Sequence, residues 1–328
     1  MKEFYIGPNE AGQRMDKYLH KLLKEASNSF IYKMLRKKNI VLNGNKSDGN
    51  EKLLEKDKIT LFLADETFEK FVGSTDIWQE SLDLTKIKKG SFKNNAVIQT
   101  TLDIVYEDKD ILIINKPAGM LSQKAAPTDI SANEYILEYL IRKGEIDESQ
   151  LMTFRPSICN RLDRNTSGLL IAGKSLKGLQ EMSLLLKDRS LKKYYRCVVQ
   201  GKIESPSEIE GYLWKDEKKN QVKILENEVK DSKYIKTAYR PIKVGTNATL
   251  LEVHLITGRS HQIRAHLASI GHPIAGDQKY GDAKWNKALQ KNLKIQYQLL
   301  HAYKMIFPDG RQYMVDYPEI FDKVVQTY

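Results

Sequence analysis

Asp163 stands between Arg161 and Arg164 in the stretch NRLDRNTSG, residues 160–168, and small turn-forming residues follow at once. A carboxylate flanked by arginines has its charged form favoured, which suits a nucleophile or an electrostatic stabiliser better than a general acid. Asn165, Thr166, Ser167 and Gly168 fit a tight turn, and Gly168 can take a positive φ just before the apolar run GLLIA. Taken alone, such a charge triplet has a commoner meaning, a surface ion pair worth roughly 0–1 kcal/mol.

No other reactive constellation competes with it. GNKSDGNE, 44–51, has two glycines at phosphate-loop spacing, but Asn50 and Glu51 stand where Lys and Ser/Thr would bind phosphate and metal. No GxGxxG follows a strand, so a nucleotide cofactor lacks its Gly-rich turn. His261 and His266 lie five residues apart, about 140° round a helix, and cannot share a metal as i, i+4 histidines do. The serines of TSG and GRS lie outside any GxSxG elbow. Cys159 and Cys197 have neither a CxxC partner nor a histidine at metal spacing, and both read as reduced thiols. The expectation is chemistry by carboxylate alone, with no cofactor and no metal.

The elements that must position Asp163 are mostly strands. DILIINKPAG reads as a buried strand ending in a Pro/Gly turn at Lys116 and Pro117, with GLLIAGK and KKYYRCVVQG as two more. TAYRPIKV and TLLEVHLI read as a strand pair, SLKGLQEMSLLLKD as a serine-capped helix, and SHQIRAHLASIG as a helix ended by Gly271. Strands outnumber helices and neighbours in sequence can pair antiparallel, which favours α+β. No repeat with a fixed period of 20–50 residues and no low-complexity tract interrupts this pattern.

Composition points to the partner. The 328 residues allow two domains, and 53 Lys+Arg against 42 Asp+Glu give a net charge of +11, which favours a polyanion. Residues 11–63 hold twelve Lys/Arg against six Asp/Glu. Within them Met15, Leu19, Leu22 and Leu23 mark one short amphipathic helix, and Phe30, Ile31, Met34 and Leu35 mark another after the capping candidates Ser27 and Asn28. Lys33, Arg36, Lys37 and Lys38 lie off the apolar stripe of the second helix, where they would follow a polyanion's backbone. A strand IVLNG and a returning strand DKITLF follow. The mixed-charge stretch 65–95 reads as a linker or irregular insertion, leaving domains at 1–64 and 96–328. No apolar run approaches the ~20 residues of a membrane span and MKEFYIGPNE has no apolar export core, so a soluble cytoplasmic protein is expected.

Through RMDKYL, IYKMLRKKNIVLNG and DKITLF the amino-terminal stretch resembles the ribosomal-protein S-four type of RNA-binding module, departing at Asn39 and Lys56, where that family usually has glycine. Residues 102–307 resemble the RluA-type family of pseudouridine synthases. The resemblance rests on YEDKDILIINKPAGM (106–120), NRLDRNTSGLLIAGKS (160–175), KYYRCVVQG (193–201), LITGRSHQIRAHLASIGHPIAGDQKYG (255–281) and LLHAYKMIF (299–307). It implies an α+β fold with a mainly antiparallel mixed sheet, and isomerisation of uridine to pseudouridine in RNA without cofactor or metal. It places Asp163 at the catalytic aspartate, attacking C6 of the base or C1′ of the ribose, Arg264 at its basic partner, and Tyr195 at the aromatic residue that packs on the base. Arg161 falls where the family fills the gap left by the flipped base, and Arg164 is taken as an RNA contact beside it. Tyr280 and His301 match family positions that read as packing or RNA-proximal, and Lys116 and Pro117 read as architectural. The domain order implies a 23S ribosomal RNA or pre-ribosomal substrate and a monomer, with transfer RNA as the alternative substrate. Asn160, where the family usually has His, motivates one other reading, an assembly factor that binds RNA with little turnover; a separate alternative is an RNA glycosylase with paired carboxylates, for which these signatures hold no obvious second acid.

Overall fold

The computed structural model describes residues 1–72, 102–146, 150–216 and 221–328. The first stretch holds β1 (Lys2–Tyr5), α1 (Met15–Leu22), α2 (Asn28–Arg36), β2 (Ile40–Leu42), β3 (Asn45–Lys46), β4 (Lys58–Leu61) and α3 (Asp65–Val72). Its strands form a four-stranded sheet in the order β1-β4-β2-β3. Ser27, not Asn28, caps α2 by accepting from Phe30 N at 3.3 Å. Met15, Leu19, Ile31 and Leu35 are buried together, as their spacing predicts. Lys56, at one of the two departures from glycine, keeps the left-handed backbone at φ 73 that glycine would adopt freely.

Residues 65–72, expected as the start of a linker, form a helix instead. DETFEKFV forms α3, because Phe68, Phe71 and Val72 at i, i+3, i+4 close over the same core, with Phe71 4.3 Å from Phe30 by ring centroids. Asp65 and Glu66 in its first turn and Lys70 in its last match the helix dipole. Residues 73–95 of the expected linker lie outside the described residues.

The remaining chain builds one large sheet from β5 (Ile104–Glu107), β6 (Ile111–Lys116), β7 (Ser157–Ile158), β8 (Ser167–Gly173), β9 (Lys192–Gln200), β10 (Ser207–Asp216), β11 (Gln221–Leu225), β12 (Lys233–Val244), β13 (Ala248–Leu255), β14 (Leu300–Ile306) and β15 (Gln312–Met314). Its path is β11-β10-β12-β13-β9-β14-β8-β6-β5. Every pairing is antiparallel except β14 with β8. The strand that comes near the end of the sequence is therefore central in the sheet. Five helices attend it: α4 (Ala132–Arg142), α5 (Leu176–Lys187), α6 (Gln262–Ser269), α7 (Ala283–Leu293) and α8 (Ile320–Thr327). Helices α4 and α6 pack on one face with Leu170, Cys197, Leu251 and Leu300. On the other face α7 and α8 cover Val198 and Leu250, and Met182 of α5 packs with Ile113 and Ile171. The expected α+β fold is the fold observed.

The parallel junction explains Gly168. Its φ is 108, and a Cβ there would lie 2.3 Å from the carbonyl oxygen of Ala302. Only glycine lets β8 start against β14 directly after the turn that carries Asp163.

Candidate active site

Asp163 sits in the loop between β7 and β8, where Thr166 N donates to its carbonyl oxygen at 3.0 Å and closes the turn. A second loop, 117–122, braces this one. Ser122 Oγ donates to Leu162 O at 2.7 Å and accepts from Leu162 N at 3.0 Å, and Gly119 N donates to Arg164 O at 2.9 Å. Fully buried Lys116 joins the two loops by donating to the carbonyls of Pro117, Met120 and Arg164 at 2.9, 2.8 and 3.1 Å. Burial lowers its pKa to about 7, against the opposing pull of Asp163. The architectural reading of Lys116 agrees with this geometry.

Asn160 is a backbone prop. Its Oδ1 accepts from Ile171 N at 2.8 Å beside the bond from Cys159 N to Ile171 O, extending the ladder that fixes the loop. A histidine ring nitrogen can accept in the same place. Asn160→His is therefore expected to change kcat by less than about tenfold, roughly 1.4 kcal/mol in barrier. It should add no ionisation near the histidine pKa of ~6.5 in the pH–rate profile. A hundredfold gain with a new ionisation would show that the wild-type loop is chemically impaired.

The cation facing Asp163 is not one of its sequence neighbours. Arg264 Nη1, on α6, donates to Asp163 Oδ2 at 2.7 Å, while Arg161 and Arg164 are exposed. The rest of the Arg264 guanidinium is held by Asp277, with Nε to Oδ2 at 2.7 Å and Nη2 to Oδ1 at 2.9 Å. Burial alone would raise the pKa of Asp277, which is 0% exposed, but the arginine fork outweighs it and holds the carboxyl below its ordinary value. Burial likewise works against the charge on Arg264, and its two carboxylates reverse the effect and raise its pKa. Asp277 also accepts from Lys279 N at 2.8 Å and Tyr280 N at 3.1 Å, and Asn286 Nδ2 donates to its carbonyl at 2.9 Å.

Helix α6 is fixed at its start. Buried Gln262 accepts from Thr257 Oγ1 and Arg259 N and donates to Lys236 O and Thr237 Oγ1 on β12. His261 caps the helix in a left-handed conformation, φ 56, and is not on the helix as its sequence suggested. Tyr280 OH accepts from Val222 N at 3.1 Å and shares a hydrogen bond with His261 Nδ1 at 2.9 Å. His261 Nε2 lies 3.9 Å from Asp163 Oδ1. Burial, partly offset by Asp163, lowers the pKa of His261.

Asp163, His261, Gln262 and Arg264 line an open cavity of about 930 Å³. Tyr195, on β9, is 6% exposed and lines it too, and burial followed by the Asp163 charge raises its phenol pKa. The structure thus brings Asp163, Tyr195, Arg264, Arg161 and Arg164 to one place. Lys187, Arg189, Lys193, Lys215 and Arg259 join them, so eight Lys/Arg side chains line the cavity among the described residues and Asp163 is the one carboxylate. Lys33 and Arg36 on α2 and Lys37 and Lys38 just beyond its end are exposed and do not line it. Buried His301 bonds Ser167 Oγ through Nδ1 at 2.8 Å, outside the cavity, as a packing residue. Among the described residues no group of three or more His, Cys, Asp or Glu side chains is placed to hold a metal ion, and Cys159 and Cys197 are free thiols. No helix among them is long and apolar enough to cross a membrane.

Comparison with known proteins gives this arrangement a class. The family model for RNA pseudouridylate synthase matches residues 110–269, which carry Asp163, Tyr195 and Arg264. An RNA pseudouridine synthase of Mycoplasma genitalium is 30% identical over 308 residues, covering 93% of this chain and 89% of that protein. The ribosomal large subunit pseudouridine synthase C of Rickettsia bellii is 33% identical over 273 residues, 83% of each. Two solved structures share the fold. Human RNA pseudouridylate synthase domain containing 4 aligns with a TM-score of 0.54 at 19% identity, over 75% of this chain and 95% of that one. Human RNA pseudouridylate synthase domain containing 1 aligns at 0.53 and 22%, over 69% and 86%. The chain belongs to the RluA-type family of RNA pseudouridine synthases.

Proposed function

We propose that this enzyme isomerises uridines of large-subunit ribosomal RNA, with Asp163 as nucleophile toward a uridine turned out of the RNA stack into the cavity. The observation that carries this reading is charge placement: a single carboxylate, held by a buried arginine, at a cavity lined by eight cations. Cations bind the phosphates around the target, and the lone carboxylate is left to face the nucleoside. Attack at C6 or at C1′ leads to the same exchange. The N1–C1′ bond breaks, the base turns, C5 bonds to C1′, C5 gives up its proton and N1 receives one. Atoms and charge balance, so no external reactant is required.

Each neighbour has a part in this scheme. Arg264 aims Asp163, since its Nη1 donates to Oδ2 at 2.7 Å. Tyr195 offers an aromatic face for the extruded base, and Arg161 and Arg164 hold the RNA at the opening. The amino-terminal unit, through α3, acts as an S-four-like RNA-binding domain, with Lys33, Arg36, Lys37 and Lys38 on the phosphate backbone. The ribosomal substrate is supported by relatives described as ribosomal large subunit pseudouridine synthases.

Two measurements test this. Purified protein incubated with transcripts of large-subunit RNA and of transfer RNAs should form pseudouridine in the first. Equal rates on transfer RNA would overturn the substrate assignment. Replacing Lys33, Arg36, Lys37 and Lys38 together by Gln should flatten the dependence of log K on log salt by about three, at ~0.7–0.9 per lost phosphate contact. An unchanged slope would mean that α2 does not touch the substrate.

A further inference from the structure

Among the cations of the cavity, Lys193 and Arg189 are paired with no carboxylate of the described residues. Lys193 lies two residues before Tyr195 on β9, so both side chains leave the same face of the strand, about 7 Å apart along it. Both line the cavity. Unlike Lys116, whose ammonium donates to three carbonyls, and Arg264, held by two carboxylates, the Lys193 ammonium has no hydrogen-bond or acidic partner among the described residues. The charge that acts on it most is another cation, Arg189, which together with burial lowers its pKa. Arg189 is held in a left-handed conformation, φ 65, just beyond α5, and lines the same cavity. The acid next to it in sequence is already engaged, since Asp188 accepts from Ser190 N at 2.9 Å and Ser190 Oγ at 2.6 Å. Opposite Lys193, a Cβ on Gly258 would stand 3.4 Å from Nζ, so the approach to the ammonium is kept free of a side chain. Asp163 does not neutralise this pair, being committed to Arg264.

Two like charges that line one open cavity and repel each other are destabilising unless an anion joins them. We infer that Lys193 and Arg189 form a subsite for one backbone phosphate of the RNA, next to the nucleotide whose base packs on Tyr195. This rests on the reading of the cavity as the uridine site. A phosphodiester fits because it offers two acceptor oxygens and a single charge to two donors, and one nucleotide spans the offset between Lys193 and Tyr195. The subsite would fix the backbone while the base turns, so its contribution falls on binding.

The test uses the full-length protein and a fluorescein-labelled large-subunit RNA transcript, with Kd measured against salt and pseudouridine formation measured separately. Lys193→Met should raise Kd about tenfold and lower the slope of log K against log salt by about one. Arg189→Gln, at an exposed position, should reproduce the slope change if Lys193→Met fails to fold. The double variant should lose one unit of slope and not two, because both cations share one phosphate, and Lys193→Arg should retain the wild-type slope. Unchanged slopes in the single variants, or two units lost in the double, would overturn the subsite. Absence of pseudouridine with the wild-type protein would instead overturn the function proposed above, and the slopes would still decide the subsite.

Discussion

Asp163→Asn is expected to abolish turnover, with kcat down by more than about 10⁴-fold, while RNA affinity stays within a few-fold. The amide keeps the shape of the side chain, and its oxygen can still accept from Arg264 Nη1, which now lies 2.7 Å from Asp163 Oδ2. The bracing from Ser122 and Lys116 runs through backbone groups of Leu162 and Arg164 and is not touched by the change. What is lost is the attacking charge. Single-turnover and steady-state assays of pseudouridine formation check this, with filter binding as the control for affinity. Sustained multiple turnover by a clean Asp163→Asn protein would remove the nucleophile from the mechanism.

Asp277→Asn should be the second most damaging change, in both stability and rate. Asp277 is fully buried and grips Arg264 by Nε and Nη2 at once. An amide has one oxygen for that fork, and its NH₂ faces a donor. Arg264, 7% exposed, would be left with Asp163 as its only carboxylate. Removing one partner from a buried ion pair typically costs about 3–5 kcal/mol. For a protein of this size that corresponds to a fall in Tm on the order of 10 °C. The rate should also fall at least tenfold, because the guanidinium that aims Asp163 loses its anchor. Calorimetry and kcat on the same preparation check both. Wild-type values of Tm and kcat would show that Asp277 does not hold the site.

The contrast between these two aspartates shows how much of the site could be read in advance. Asp163 announced itself by local context, since charge, turn residues and Gly168 are contiguous, and the family motifs supplied Tyr195 and Arg264. The pairing itself was not readable from charge order. Arg161 and Arg164 looked like the partners, yet the ion pair comes from Arg264, 101 residues away. Asp277 and Gln262 were missed because each works through tertiary hydrogen bonds. The available signal was modest: an acid in GDQKYG followed by backbone amides that could donate to it, and a glutamine at a helix start with no exposed role. In the fold, strands with long apolar runs, such as Ile111–Lys116 and Ala248–Leu255, were read correctly. The short α3 was not, because its mixed charges hide three apolar residues that become meaningful only against Phe4 and Phe30.

The central claim, Asp163-dependent pseudouridine formation in large-subunit RNA, is tested most directly by mapping pseudouridines in ribosomal RNA. Cells that encode the protein would be compared with cells lacking its gene, and with the latter carrying either the wild-type protein or Asp163→Asn. The account predicts that one or more large-subunit sites disappear with the gene, return with the wild-type protein and stay absent with Asp163→Asn. An unchanged map in the gene-less cells, or sites restored by Asp163→Asn, would contradict it.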